Sequence, residues 1–307
     1  FCILFVSLFL FISAIMDVKI GFSLLKYGFF FWLVSVIYVS LPFRMTSFER
    51  VICETSHNLA LPYVIINPMA TVDGSLPVCD AEKLLPIEPK PPVIFLGQGE
   101  DLETAILTLK AAAHRRDTIV VWKNFTRGFM DNYKKKEFIE QQFNDDMYHF
   151  LTNYSNYETK EMSLKTALPD MDKYYLGFSY TLLQNNPKIW QDLNTLLHSY
   201  GPELQSIIPV NFSRHHAFLY EGKKYHTGFH QAPVADWFIQ ISNTKKWTFV
   251  EPKYSPYVRI VSGDGMSLNS AWDFIPPKTR VPHIDVYSEA GDLMYFPRHW
   301  WHEVENM

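Results

Sequence analysis

Short apolar and aromatic segments, separated by Gly, Pro and Asn, follow one another through the last third of the chain. Residues 216–220, 236–241, 246–250 and 292–296 are too short for stable helices and are rich in β-branched and aromatic side chains. Closely spaced strands of this kind are typical of a β-sandwich or β-barrel. We therefore expect an all-β body in the C-terminal part of the chain.

The residues before these strands follow a helical pattern in several places. Apolar residues recur with helical spacing over residues 101–116, where Asp101 is a suitable N-cap. Helices are also predicted over residues 132–151 and 187–198, and a strand over residues 118–122. Helices followed by short strands predict an α+β domain in which N-terminal helices precede a β-sandwich or barrel.

The first 43 residues are apolar on every face and contain only three charged side chains. Residues 27–43 contain no charge, and this stretch is near the lower limit of about 17 residues for crossing a bilayer. We predict a membrane anchor over residues 1–43, which resembles an uncleaved signal-anchor, followed by a proline-containing linker or stalk over residues 44–92. If residues 1–15 also insert, the alternative is a hairpin of two spans.

Three Asn-X-Ser/Thr sequons, at Asn124, Asn153 and Asn211, favour the lumen of the secretory pathway for the rest of the chain. In that compartment Cys53 and Cys79 can form a disulfide, although two free thiols remain the alternative. We therefore predict a single-pass membrane glycoprotein with a luminal domain. The formal net charge of −4 gives no basic surface, so no nucleic-acid partner is expected.

Two segments carry the side chains most suited to chemistry. The first, residues 225–247, reads YHTGFHQAPVADWFIQISNTKKW and contains His230. The second, residues 291–306, reads GDLMYFPRHWWHEVEN and contains His302. Imidazole is a common ligand of transition metals, and two histidines on neighbouring strands can hold one ion between them.

These two segments resemble the JmjC and cupin-like family of iron- and 2-oxoglutarate-dependent oxygenases. That family carries H-x-D on one strand, then a strand similar to Q-[IV]-x-G-x-K-[RK]-W, then G-D-x-x-[YF]-[IFV]-P-x-x-W-W-H. The resemblance implies a double-stranded β-helix, or jelly roll, over residues 93–307. It also implies Fe(II) bound by His230 and His302, and 2-oxoglutarate bound through its distal carboxylate by Lys245 and the Thr227 hydroxyl.

The sequence departs from the family pattern at one ligand. Non-haem iron oxygenases bind Fe(II) with two His and one carboxylate, and strand residues two apart lie on the same face. The position two residues after His230 is Ala232, which cannot bind a metal. Asp236, His226 or a water molecule can take its place, a halide can occupy it as in related halogenases, or iron binds weakly or not at all.

Two functions follow from the resemblance. The first is a hydroxylase-like oxygenase that acts on a protein or a small polar substrate, and the second is a non-catalytic JmjC-like binding module. The chain ends five residues after His302, whereas the family's jelly roll usually continues. We therefore expect at least one further strand in the complete domain.

Overall fold

The structure is a computed structural model. It describes residues 51–56, 79–81, 90–97, 99–135, 138, 141, 146–153, 158–167, 169–170, 174, 176–208, 217–219, 227–258, 260–264, 267–270 and 280–307. The predicted membrane anchor over residues 1–43 lies outside this set. Within the described ranges, no helix is long and apolar enough to cross a membrane.

Strands dominate the part of the chain that the structure describes. In chain order they are β1 (Val93–Leu96), β2 (Ile119–Trp122), β3 (Met147–Asn153), β4 (Glu158–Ser163), β5 (Leu176–Ser179), β6 (Ala217–Leu219), β7 (His230–Gln231), β8 (Asp236–Ile239), β9 (Lys245–Val250), β10 (Ile260–Asp264), β11 (Ser267–Ser270), β12 (Ile284–Ser288), β13 (Leu293–Phe296) and β14 (Trp301–Asn306).

The α-helices that the structure describes all lie before β6. A short helix over residues 51–56 precedes the domain. Those in the domain are α1 (Leu102–Arg115), α2 (Leu164–Ala167), α3 (Tyr180–Asn185), α4 (Pro187–Ser199) and α5 (Pro202–Gln205). The Asp101 carboxylate accepts a hydrogen bond from the Thr104 amide at 3.0 Å, so it caps α1 as predicted. Pro187 opens α4, where its fixed φ suits the first helical turn.

Two sheets pack face to face. The four-stranded sheet has the order β1-β2-β13-β8, and the six-stranded sheet has the order β10-β11-β7-β14-β9-β12. All neighbours pair antiparallel except β1 and β2, which are parallel. The core between the sheets is aromatic, with Trp247, Phe249, Phe296 and Trp300 all buried. This arrangement fits the predicted jelly roll in an α+β domain.

The outer faces of both sheets are also covered. Helices α1 and α4 pack on the four-stranded sheet, where Leu109 and Leu197 meet Tyr295 in one buried cluster. On the outside of the six-stranded sheet, Trp301 stacks on Phe229 with ring centroids 6.0 Å apart. Because both faces of the four-stranded sheet are covered, its central strands β2 (IVVW) and β13 (LMYF) are continuous hydrophobic runs.

One predicted helix is wrong at its C-terminal end. Residues 132–151 were expected to be helical, but Met147–Asn153 forms β3, which pairs antiparallel with β4. Tyr148 and Phe150 are buried whereas Met147 and His149 are exposed, which is the two-residue alternation of a strand. The charged residues around this segment resemble a helix surface, but the alternating apolar face can be buried only as a strand.

Part of the predicted linker packs against the domain. Residues 51–56 form a helix, and Cys53 forms a disulfide with Cys79. Cys79 is buried next to Tyr254 and Trp301, and the Tyr257 hydroxyl donates a hydrogen bond to Glu54 at 2.7 Å. Of the two alternatives for these cysteines, the structure therefore contains the disulfide.

Candidate functional site

Strands β7 and β14 bring the two predicted histidines together. His230 lies directly opposite His302 in the antiparallel pairing, and the ring centroids are 4.2 Å apart. The two histidines are 72 positions apart in the sequence, and the pairing of β7 with β14 brings them together. The juxtaposition in one pocket was predicted, and their assignment as metal ligands stays a prediction.

Each imidazole is oriented by a backbone carbonyl two residues before it. The Nδ1 of His230 lies 2.8 Å from the Gly228 carbonyl, and the Nδ1 of His302 lies 3.0 Å from the Trp300 carbonyl. A carbonyl can only accept, so each Nδ1 carries the proton and each Nε2 carries the lone pair. This is the arrangement that fixes the tautomer of metal-binding histidines.

The surroundings of His302 keep its ring neutral. Complete burial lowers the pKa of His302 well below its ordinary value, and the nearby His230 lowers it further. The ring of Phe296 lies 4.8 Å away, and those of Trp247 and Phe249 lie about 6 Å away. A neutral imidazole is the form that binds a metal ion, because the protonated ring has no lone pair to donate.

Lys245 lies at the other end of the same sheet face. It pairs with Asn306, four residues beyond His302 on β14, which corresponds to about 13 Å along a strand. Its side chain is buried, and its Nζ lies 5.7 Å from the centre of the Phe238 ring on the opposite sheet. Burial lowers the pKa of Lys245 from 10.5 to about 7.

Thr227 lies between these two ends. Its amide donates a hydrogen bond to the Val304 carbonyl at 2.9 Å, and its Oγ1 accepts one from the Val304 amide at 2.9 Å. Val304 pairs with Trp247, midway between His302 and Lys245 in register. The hydroxyl proton of Thr227 remains available as a donor in this geometry.

The position of the third ligand differs from that of the family's two-histidine, one-carboxylate triad. Ala232 follows β7, and its carbonyl accepts a hydrogen bond from the His299 amide at 2.7 Å, which ties this loop to the one before β14. Asp236 lies on β8 opposite Phe296, so strand alternation turns it toward the same interior from the other sheet. Burial raises the pKa of Asp236 from 3.8 to about 6.

These residues do not complete a three-ligand site. Among the residues that the structure describes, no three His, Cys, Asp or Glu side chains are grouped as metal ligands. The pair His230 and His302 therefore fits an ion with two protein nitrogen ligands, and Asp236 as a substitute ligand stays a prediction. His226, the other candidate, lies outside the described residues.

Several matched motif residues stabilise turns rather than the pocket. Gly291 has a φ of 101°, and a Cβ there would lie 3.2 Å from the Thr126 Oγ1. The buried Asp292 accepts hydrogen bonds from the Lys123 ammonium at 2.6 Å and from the Asn124 and Glu289 amides. The sequence showed the Gly-Asp pair but not its contacts with Lys123, Asn124 and Thr126, because these residues come from a distant part of the chain.

Gln240, matched to the same family pattern, also acts on the backbone. Its backbone N–H donates a hydrogen bond to the Asp292 backbone carbonyl at 2.9 Å, and its backbone carbonyl accepts one from the Gly291 N–H at 2.7 Å. Its side-chain Nε2 donates to the Ser242 carbonyl at 2.5 Å. Gln240 therefore joins the turn before β9 to the turn before β13.

Two facing sheets, helices on the outside and a histidine pair in the interior define a cupin-like protein. Residues 92–307 match the family described as the cupin-like domain, and the chain belongs to that family. The predicted relationship to JmjC and cupin-like proteins is confirmed.

A similar curated protein is ribosomal oxygenase 1 of Danio rerio, which is 27% identical over 208 residues. The alignment covers 57% of this chain and 35% of the relative, so the chain spans about a third of that protein's length.

Proposed function

We propose that this domain binds Fe(II) and 2-oxoglutarate and acts as an oxygenase of the cupin-like family. The observation that carries the proposal is the pair His230 and His302, with both Nδ1 atoms bonded to carbonyls and the rings 4.2 Å apart on the sheet face that also carries Lys245. An oxygenase among the relatives supports the same class of chemistry.

The chain's own residues have separate roles in this proposal. The two Nε2 atoms hold the metal, while the Lys245 ammonium and the Thr227 hydroxyl hold the distal carboxylate of 2-oxoglutarate. Trp247, Phe249 and Phe296 exclude water from the pocket, which strengthens both interactions. When bound, Fe(II) with 2-oxoglutarate and dioxygen supplies the oxidation of a substrate C–H bond, with release of succinate and carbon dioxide.

A non-catalytic binding module is the second candidate, and Ala232 favours it. Loss of the carboxylate removes one of three protein ligands, and metal affinity depends strongly on ligand number and type. Without this carboxylate, a halide can bind beside the metal, as in halogenases that have alanine or glycine at this position.

The two candidates are separated by titration of the purified protein with Fe(II) and 2-oxoglutarate under anaerobic conditions, followed by admission of oxygen. An oxygenase releases succinate in an oxygen-dependent reaction, whereas a binding module does not. Repeating the reaction with and without chloride, and analysing any modified product, separates hydroxylation from halogenation.

The substrate proposed is a protein or a small polar molecule. The domain is also proposed to lie in the secretory-pathway lumen, anchored through residues 1–43. The disulfide between Cys53 and Cys79 supports an oxidising compartment, because such bonds are rare in the cytosol.

A further inference from the structure

A second concave site lies on the outer face of the four-stranded sheet. Trp237 on β8 and Tyr295 on β13 are paired neighbours whose side chains belong to the cluster under the helices, not to the core between the sheets. The space between them and the C-terminal end of α1 is a cleft of about 250 Å³. The histidine pair lies on the other side of this sheet, so the cleft is separate from the candidate metal site.

The charged side chains that line this cleft are both cationic. They are Arg116, which directly follows α1, and Arg298 in the loop between β13 and β14, and both are exposed. Neither forms an ion pair with any residue that the structure describes. The nearest acidic neighbour in sequence, Asp117, is instead engaged by Arg115 at 3.5 Å and by the Thr118 hydroxyl at 2.6 Å.

Tyr295 adds a hydrogen-bond donor. Its side chain is 1% exposed and lines the cleft, yet its hydroxyl has no hydrogen-bond partner within the described part of the chain. Burial raises the pKa of Tyr295, the charge of Arg116 opposes the shift and the charge of Asp117 adds to it, so the hydroxyl keeps its proton at neutral pH. A hydroxyl on the cleft wall without a protein partner among the described residues can donate a hydrogen bond to an anionic oxygen.

The remaining walls are apolar. The rings of Trp237 and Tyr295 lie 4.6 Å apart at an angle of 45°, and Ala113 and Ile207 complete the lining on the helix side. The volume is slightly below the range of about 300–1,000 Å³ for pockets that hold drug-sized ligands. The cleft therefore suits a small ligand with one flat apolar part and one anionic group.

The C-terminal end of α1 borders the cleft, and its carbonyl groups are turned toward hydrogen-bond donors of the protein. Carbonyl groups at the C-terminus of a helix carry partial negative charge. The Ala112 carbonyl accepts the Arg116 amide at 2.9 Å, and the Arg116 carbonyl lies 3.5 Å from the Trp300 indole nitrogen. Arg116 and Arg298 supply the positive charge that an anion in the cleft meets, against the opposing charge of Asp117 and of the helix end.

We propose that the cleft between Arg116, Arg298, Trp237 and Tyr295 binds a small aromatic anion, a carboxylate or a phosphate carried on a ring. The ring packs against Trp237, and the anionic group is held by the two guanidinium groups and the Tyr295 hydroxyl. Guanidinium binds both kinds of anion through paired hydrogen bonds. The proposal is independent of iron and 2-oxoglutarate, because none of these residues faces the histidine pair.

Calorimetric titration of the full chain with phenyl phosphate and with benzoate, without iron or 2-oxoglutarate, tests the proposal. Saturable binding of either compound is expected, and the tighter of the two identifies the anionic group. Inorganic phosphate, which has no ring, and phenol, which carries no charge at neutral pH, should each bind at least about tenfold more weakly.

Three exposed positions provide variants that leave the core intact. Arg116→Ala and Arg298→Ala should each weaken binding about tenfold, and Ala235→Trp should block the cleft while keeping both arginines. Arg115→Ala is the matched control, because Arg115 is a neighbouring exposed arginine outside the lining and should leave affinity within about twofold. Absence of saturable binding, equal binding of inorganic phosphate, or an equal loss in Arg115→Ala would overturn the proposal.

Discussion

Ala232 is the side chain that separates the two candidate functions, an oxygenase and a non-catalytic binding module. Its neighbours match the family pattern, and the histidine pair has the geometry of two metal ligands. The methyl group supplies no donor where a carboxylate is usual, so the affinity for iron is set by two imidazoles and by whatever occupies the third position.

Ala232→Asp should therefore strengthen Fe(II) binding by about tenfold or more, because it adds an anionic oxygen donor two residues after His230. Anaerobic titration of the variant and the unmodified protein measures the difference. Val234→Asp is the control, since Val234 is 57% exposed in the same loop and adds the same charge away from the site. Equal gains in both variants would mean that general charge, not ligation, is responsible.

Lys245 predicts a pH dependence of 2-oxoglutarate binding. Its pKa of about 7 lies below the ordinary 10.5, so its charge is present below pH 7 and is lost as the pH rises. Binding that needs the ammonium should weaken by about tenfold per pH unit above 7. By linkage, the stability of the ligand-free protein should rise between pH 7 and 10.5, because the unfolded chain then binds more protons at this side chain.

Measurement of 2-oxoglutarate affinity at several pH values checks this expectation. Lys245→Met should remove the dependence and weaken binding at low pH. Lys246→Met is the matched control, because Lys246 is the next residue of β9, lies on the opposite face near Asp285 and Glu305, and should leave binding unchanged. A pH profile that survives in Lys245→Met would assign the titration to another group.

At the level of elements, the hairpin β3–β4 shows how burial overrides a helical composition. Residues 147–151 contain helix-compatible side chains, but Tyr148 and Phe150 form a buried cluster with Leu176 and Leu182. Only alternate residues of a strand can be buried in this way while the intervening ones stay in water.

Phe150→Ala should destabilise the protein by about 3–5 kcal/mol, because Phe150 is fully buried and its removal leaves a cavity. His149→Ala, one residue away on the exposed face, should change stability by no more than about 0.5 kcal/mol. Chemical denaturation of both variants measures the two values. Similar losses at both positions would contradict the strand assignment.

At the level of the whole molecule, the disulfide joins the N-terminal helix to the back of the six-stranded sheet. Cys79 packs with Trp301, whose next neighbour in sequence is His302. Residues 51–56 are thus covalently linked to the wall behind the candidate metal site.

Loss of this disulfide should lower the free energy of unfolding by about 3–4 kcal/mol, the value for a loop closed over a sequence separation of 26. Denaturation with and without reductant measures it. The double variant Cys53→Ala/Cys79→Ala should show the lower stability in both conditions. A reductant effect that persists in the double variant would exclude this disulfide as the cause.

Glycosylation is the prediction that tests the proposed compartment. Endoglycosidase treatment of the chain expressed in a secretory cell should increase its mobility. Asn124 is a poor acceptor in the folded domain, because Phe125 and Thr126 of its sequon are 0% and 1% exposed. Replacement of Asn153 or Asn211 by Gln should therefore reduce the shift, whereas Asn124→Gln should not. No shift in any form would argue against luminal exposure.

Much of the fold could be predicted from the sequence because it depends on local chemistry. Short length and a high content of β-branched and aromatic residues mark the strands of the last third of the chain. Asp101 marks the start of α1, because its carboxylate can reach an amide three residues ahead. The residue types at His230, His302 and Lys245, and their order along the chain, were sufficient to place this protein near the JmjC and cupin-like family.

Tertiary structure alone decided the features that depend on residues far apart in sequence. The insertion of β2 between β1 and β13, the strand β3 in place of a helix, and the burial that lowers the pKa of Lys245 all arise from long-range packing. Arg116 and Arg298 likewise meet at one cleft only after the sheet and α1 are assembled. Local patterns fix which way a side chain faces on its own strand, whereas its neighbours across strands are fixed by pairing of distant segments, which no local pattern encodes.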